Sequence, residues 1–160
     1  MSPTSYFKAA TETVREALDR TDAVIHSAAL VGVGQSMYRI ADYTCVKDLG
    51  TACLLEALST HPVECLAVAS SKSVCGEGSY RDSAGNLARA TARTLSQLKM
   101  GAWEVFDSRG EPLTPVPTTE DKQPSLASIY TLSKCDQERM CLIFGMAYRI
   151  PVVAPRIFST

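Results

Sequence analysis

Three short apolar runs, each set between stretches of helical spacing, constrain the fold of this chain most. They are Asp22-Ala-Val-Ile-His-Ser-Ala28, Cys65-Leu-Ala-Val-Ala69 and Pro151-Val-Val-Ala-Pro-Arg-Ile-Phe158. Runs this short, apolar throughout and bounded by turn residues, have the pattern of strands in a parallel sheet, apolar because both faces are covered. The two prolines of the third run restrict it to an edge or to strand ends. Between the runs the period is helical: Ala9 to Arg20, with Val14, Ala17 and Leu18 on one side; Tyr38 to Thr60, stopped near His61-Pro62; and Ser125 to Tyr148, with Ile129, Leu132, Cys135, Leu142 and Met146 on the expected buried stripe. Strand, helix, strand, helix, strand predicts an α/β fold with right-handed parallel crossovers.

Residues 79–124 have a different character. Leu87 to Met100 has the spacing of one amphipathic helix, and Gly101 to Pro124 holds four prolines and is expected as loop. The segment is expected to be surface-exposed and the least ordered part of the chain.

At 160 residues the chain has the length of one ordinary domain, and 46% apolar residues suffice for a core. A net charge of −1 with mixed signs provides no basic patch, which argues against nucleic acid as a partner. No apolar run reaches membrane-spanning length, and Met1-Ser-Pro-Thr4 lacks the layout of a signal peptide. The six cysteines form no CxxC pair and the two histidines are far apart, so no metal site is expected. Reduced, mostly buried thiols suit a cytoplasmic protein.

Chemistry concentrates in Tyr130-Thr-Leu-Ser-Lys134. A tyrosine and a lysine four apart share one helical face. The ammonium can stabilise a phenolate, which lowers the tyrosine pKa and makes it a usable acid/base. The spacing recurs in Tyr43-Thr-Cys-Val-Lys47, so context must choose. Tyr130 opens the helix that follows a strand ending in Ser70-Ser71; Tyr43 has no such strand before it. Ligands of open α/β sheets sit beyond the carboxyl ends of the strands, where a serine hydroxyl can hold a substrate oxygen. His26-Ser-Ala-Ala29 ends the first run with small side chains that let a ligand approach the backbone. The plainer readings of these residues are an amphipathic tyrosine at a helix start, a strand-end serine cap and tight helix–strand packing.

Taken in order, Asp22-Ala-Val-Ile-His-Ser-Ala-Ala29, Lys47-Asp-Leu-Gly-Thr51 with Leu54-Leu-Glu-Ala57, Val68-Ala-Ser-Ser71 with Val74-Cys-Gly76, Tyr130-xx-Ser-Lys134 and Pro155-Arg156 resemble the landmarks of the extended short-chain dehydrogenases/reductases, the NAD-dependent epimerase/dehydratase family. Gly32-Val-Gly34, Cys75-Gly-Glu-Gly-Ser-Tyr80 and the insert before Thr119-Glu-Asp121 look most like the bacterial dTDP-L-rhamnose 4-epimerases and their relatives. The resemblance implies a partial Rossmann-like, doubly wound parallel sheet. Its three strands would be the central to C-terminal ones, so that residues 1–160 form an incomplete NAD(P)-binding domain with an inserted loop/helix segment, 79–124. It implies NAD, or NADP, as cofactor and a nucleotide sugar as substrate. Tyr130 would take a proton from the sugar's C4 hydroxyl while the hydride passes to NAD; the keto sugar would rotate and regain the hydride on its other face. Ser71 would hold the reacting oxygen, Lys134 the nicotinamide ribose, and Ala28, Ala29 and Ser70 would line the cofactor's path.

Departures from the pattern qualify this expectation. The glycine-rich dinucleotide turn normally precedes these landmarks on the family's first strand; Gly32-Val-Gly34 follows a different strand and lacks the third glycine. Lys47 stands where relatives usually carry asparagine, Cys75 replaces a tyrosine, and Ser159 replaces an asparagine near the substrate. A 4,6-dehydratase would need an Asp-Glu pair where Lys72 and Ser73 stand, so dehydration is rejected. A chain with these features is expected to be the middle of an epimerase, inactive alone and prone to oligomerise through a bare first strand. The alternative is a non-catalytic truncated paralogue or split-gene product acting through a partner chain.

Overall fold

A computed structural model describes residues 3–88, 90 and 92–157, with side chains from Phe7 onward. Two compact units are present, residues 1–74 with 126–160, and residues 75–125.

The first unit is the α/β unit. Helix α1 (Pro3–Leu18) leads into β1 (Ala23–His26). A helical turn, α2 (Val33–Ser36), begins within Gly32-Val-Gly34 and is followed by α3 (Ile40–Thr44), a π turn at Cys45–Leu49, and α4 (Gly50–Leu58). β2 (Cys65–Val68) and β7 (Val152–Val153) complete a parallel sheet of order β1-β2-β7, with Val24 opposite Leu66 and Leu66 opposite Val152. Beyond a break at Ala69, β3 (Ser70–Ser71) pairs in parallel with β8 (Arg156–Ile157). The three parallel strands thus fall where the apolar runs place them; Phe158 and Ser159 lie outside the described residues. No helix among the described residues is long and apolar enough to cross a membrane.

The core lies between the sheet and the helices α1, α4 and α6 (Ile129–Tyr148), with Leu54, Leu58, Leu66, Val68, Cys141 and Phe144 at its centre. Gly145 lets α6 approach β7 closely: a Cβ there would overlap Val152 and stand 2.7 Å from the Ile150 carbonyl. Two expectations are corrected here. The first apolar run is not a buried strand, because β1 is an edge of the sheet and Ile25 is 80% exposed. The buried face of α6 follows the expected stripe only in part: Cys135 is buried, but Leu132 and Met146 face outward, and the polar Tyr130, Ser133, Lys134, Gln137 and Glu138 are buried with it. Much of that polar face finds partners: Lys134 donates to the Ala69 carbonyl, Gln137 to the Ala28 carbonyl and Thr51, and Glu138 accepts from Ser70.

The second unit is a small antiparallel sheet, β5-β4-β6, made of β4 (Ser79–Arg81), β5 (Leu87–Ala88) and β6 (Thr114–Val116). The single helix expected over 87–100 is instead a strand followed by a short helix, α5 (Leu95–Lys99), capped by Thr94. The cause is local. Asp82 Oδ1 accepts from the amides of Ala84 and Asn86, and Gly85 takes φ 85°, which turns the chain into a hairpin. Val105 and Leu113 are buried, so the segment is not uniformly exposed.

Candidate active site

A cavity of about 420 Å³ opens at the carboxyl ends of β1 and β2, built from residues of the first unit alone. Ser27 and Ala29 come from the end of β1, Ala69 to Ser73 from the end of β2 onward, Tyr130 and Lys134 from α6, and Ile157 from β8. Ligand sites of open parallel sheets form at such strand ends, where successive connections leave in different directions.

The break after β2 follows from hydrogen bonding. The Ala69 amide donates to the His26 carbonyl at 2.9 Å, and the Ala69 carbonyl turns away from the ladder to accept from Lys134 Nζ at 2.7 Å. The Ser70 amide then bonds the Pro155 carbonyl at 3.0 Å, which shifts the strand to β8. Ser71 Oγ accepts from the Ser73 amide at 3.2 Å, leaving its O–H to donate into the cavity. Ser70 differs: its hydroxyl is committed to Glu138 at 2.6 Å, so toward the cavity it offers backbone more than side chain. Glu138 also accepts from Arg156 Nη2 at 3.0 Å and Nε at 3.3 Å. Burial pushes its carboxyl up, but those donors outweigh burial and the net shift is downward.

Tyr130 sits in the first turn of α6. Ser128 caps that helix through the Thr131 amide at 3.1 Å, and Thr131 bonds back to the Ser128 amide at 3.0 Å. The Tyr130 amide, one of the helix's orphan donors, is taken by Ser36 Oγ at 3.0 Å. Lys134 lies one turn on; burial lowers the pKa of its ammonium. Among the described residues, two lysines, Lys72 and Lys134, and no carboxylate line the cavity.

Of the residues expected at the site, Ser70, Ser71, Tyr130, Lys134 and Ala29 border this cavity; Ala28 does not. The Ala28 carbonyl instead accepts from Gln137 at 3.3 Å. Gln137 also donates to Thr51 at 3.0 Å, and Thr51 lies 2.8 Å from His26 Nε2. That network joins β1, α4 and α6 behind the cavity. Burial, and then the nearby Lys134 charge, lower the His26 pKa. The competing pair, Tyr43 and Lys47, is internal: the Tyr43 hydroxyl lies 2.9 Å from the Gly32 carbonyl and 3.0 Å from Gln35 Oε1, the two acceptors within reach of its one proton. Sequence reasoning missed Gln137 and Glu138 as site supports. Their spacing from Lys134, at three and four residues, was the available signal.

A phenol, an ammonium one turn on along α6 and a serine hydroxyl border the same cavity, groups of the kind that can hold and move a proton. The model of the NAD dependent epimerase/dehydratase family matches residues 8–160, and the chain belongs to that family. A dTDP-L-rhamnose 4-epimerase of Burkholderia thailandensis is 30% identical over 139 residues, covering 85% of this chain and 37% of its relative. The UDP-glucose 4-epimerase of Thermotoga maritima, solved with UDP-glucose, matches with a TM-score of 0.62 at 19% identity, over 90% of this chain and 37% of that one. The UDP-glucuronic acid 4-epimerase of Bacillus cereus, solved with UDP-glucuronic acid and NAD, matches with a TM-score of 0.55 at 22% identity, over 88% of this chain and 34% of that one. The chain therefore spans about a third of the length of these relatives, and its sheet is the corresponding part of a Rossmann-like fold. NAD is the family's cofactor.

Proposed function

We propose that Ser71, Tyr130 and Lys134 perform the proton handling of nucleotide-sugar epimerisation at C4. The observation that carries the reading is that all three line one cavity, which opens at the carboxyl ends of parallel strands. Tyr130 Oη takes the proton of the sugar hydroxyl and later returns it. Ser71 donates its O–H to the same sugar oxygen, holding it beside the phenol. Lys134, with three donors and one of them on Ala69, keeps donors for a ribose hydroxyl and a positive charge beside Tyr130. NAD, when bound, supplies the acceptor and donor of hydride.

The lining suits that cofactor. Ser27 and Ala29 are small enough to expose backbone, and among the described residues no carboxylate opposes a pyrophosphate. Ala28, Ala29 and Ser70 would border it, with Tyr130 and Lys134 at its nicotinamide end. Lys72 and Ser73 occupy the wall where a dehydratase would need acids, which favours epimerisation over dehydration.

The reading includes weak NAD binding and no turnover for these 160 residues on their own. The chain contains no G-x-G-x-x-G turn, whose backbone amides and following helix N-terminus supply much of the hold on a dinucleotide. The open β1 edge, with Ile25 exposed, would favour self-association. The test joins this chain to the segments of the B. thailandensis relative that the 139-residue match leaves uncovered. Appearance of nucleotide-sugar C4 epimers, followed by proton NMR, supports the proposal. A joined protein that binds NAD and nucleotide sugar yet interconverts no epimers opposes it.

A further inference from the structure

We propose that Lys47 is a positioning residue for Tyr130: its buried ammonium, seated on the face of the tyrosine ring and bonded to the helical turn beneath it, holds the phenol at the cavity wall. The inference takes from the preceding section that Tyr130 is the acid/base; its geometry stands independently.

Lys47 is fully buried. A lysine is almost never so placed unless something holds its charge. Among the described residues it makes no salt bridge. Its Nζ lies 3.9 Å from the centroid of the Tyr130 ring and 4.8 Å from that of Tyr43. It donates to Ser133 Oγ at 3.1 Å and to the Tyr130 carbonyl at 3.4 Å. Two aromatic faces and two oxygens therefore take the place of a carboxylate, and a cation on a desolvated ring face is a strong contact. Three of the four partners belong to the first turns of α6, the segment that sets where Tyr130 points.

The backbone is built for this contact. Lys47 occupies the π turn between α3 and α4, and such turns gather at functional sites. Tyr43, one turn earlier, closes the other side of the ammonium and is itself tied to Gly32 beside the cavity. Gly32 takes φ 130°, and a Cβ there would stand 3.1 Å from the Tyr43 hydroxyl. The second tyrosine–lysine pair is thus the support of the first.

The charge of Lys47 can be read directly. Burial, and then repulsion by Lys134, lower its pKa to about 8, with Asp48 opposing. The titratable groups around it are Tyr43 on α3, Asp48 on the π turn, and Tyr130 and Lys134 on α6, with Asp136 acting on Asp48.

The experiment is carbon-13 NMR of the chain carrying ring-labelled tyrosine, titrated from pH 6 to 9.5. The Tyr130 signals are those lost in Tyr130→Phe. They are expected to move with a midpoint near pH 8, together with the Lys47 side-chain nitrogen followed in a lysine-labelled sample. At pH 7, Lys47→Met should displace the Tyr130 signals, and Lys47→Arg should retain positions near the wild type. A space-filling role gives the reverse: Met is silent and Arg disturbs. Tyr130 signals that ignore the titration of Lys47, or are unchanged in Lys47→Met, overturn the proposal. Where a variant does not fold, the wild-type titration alone decides. The readout needs no turnover, so a Tyr130 that proves non-catalytic leaves this result as it stands.

Discussion

The Lys134 ammonium donates to the Ala69 carbonyl at 2.7 Å, across the break between β2 and β3. One side chain thus anchors the strand end that carries Ser71 to the helix that carries Tyr130. Two effects oppose each other in Lys134→Met. A charge-assisted hydrogen bond is lost, worth about 2 kcal/mol, and the burial that depresses the lysine pKa is relieved. The expected stability loss is about 1 kcal/mol or less by urea unfolding, whereas activity in the joined protein should fall at least about 100-fold. A loss of several kcal/mol would show that Lys134 is structural first.

Glu138 should matter more for folding than for chemistry. It holds Ser70 and Arg156 together in a nearly buried ion pair, with side-chain exposures of 5% and 18%. Glu138→Ala strips both partners, and a broken buried pair costs about 3 kcal/mol. The native carboxyl lies below its ordinary 4.5, so its contribution is present above that value and is lost as pH falls through the native pKa. Urea midpoints across pH 3 to 6, for wild type and Glu138→Ala, check both statements.

His26 produces a second acid sensitivity at higher pH. Burial and the Lys134 charge hold its native pKa below 6.5. The unfolded chain therefore takes up a proton first as pH falls below 6.5, and stability declines in that window while remaining full above it. His26→Gln should flatten the slope of melting temperature between pH 6.5 and 5. An unchanged slope would place the sensitivity elsewhere.

The parallel sheet was legible in the sequence because apolar runs of four to eight residues, separated by helical periods, admit few other arrangements. That Ser71 and Tyr130 border one cavity was legible because the strand end and the start of the following helix meet at the same edge of the sheet. The polar part of the buried face of α6 was not. Ser133, Lys134, Gln137 and Glu138 are polar by type, and their burial is favourable only with partners such as the Ala69 carbonyl, which accepts from Lys134, and the Ser70 hydroxyl, which donates to Glu138. Lys47 was hidden for a related reason: a lysine reads as solvent-facing until two tyrosine rings and Ser133 are seen around it. The 79–88 hairpin escaped notice because it depends on Asp82 bonding its own turn, a local contact that outweighs the helical spacing of 87–100.

The central claim is that Tyr130 is the acid/base of a nucleotide-sugar epimerase. Its most direct test is the kcat of Tyr130→Phe in the joined protein, measured beside its affinity for nucleotide sugar and NAD. The change removes one oxygen from a side chain that is 9% exposed, so binding should stay within about threefold. The account predicts that kcat falls by about a thousandfold or more, a loss carried by the missing proton transfer. A Tyr130→Phe protein that retains more than a tenth of wild-type kcat would contradict it.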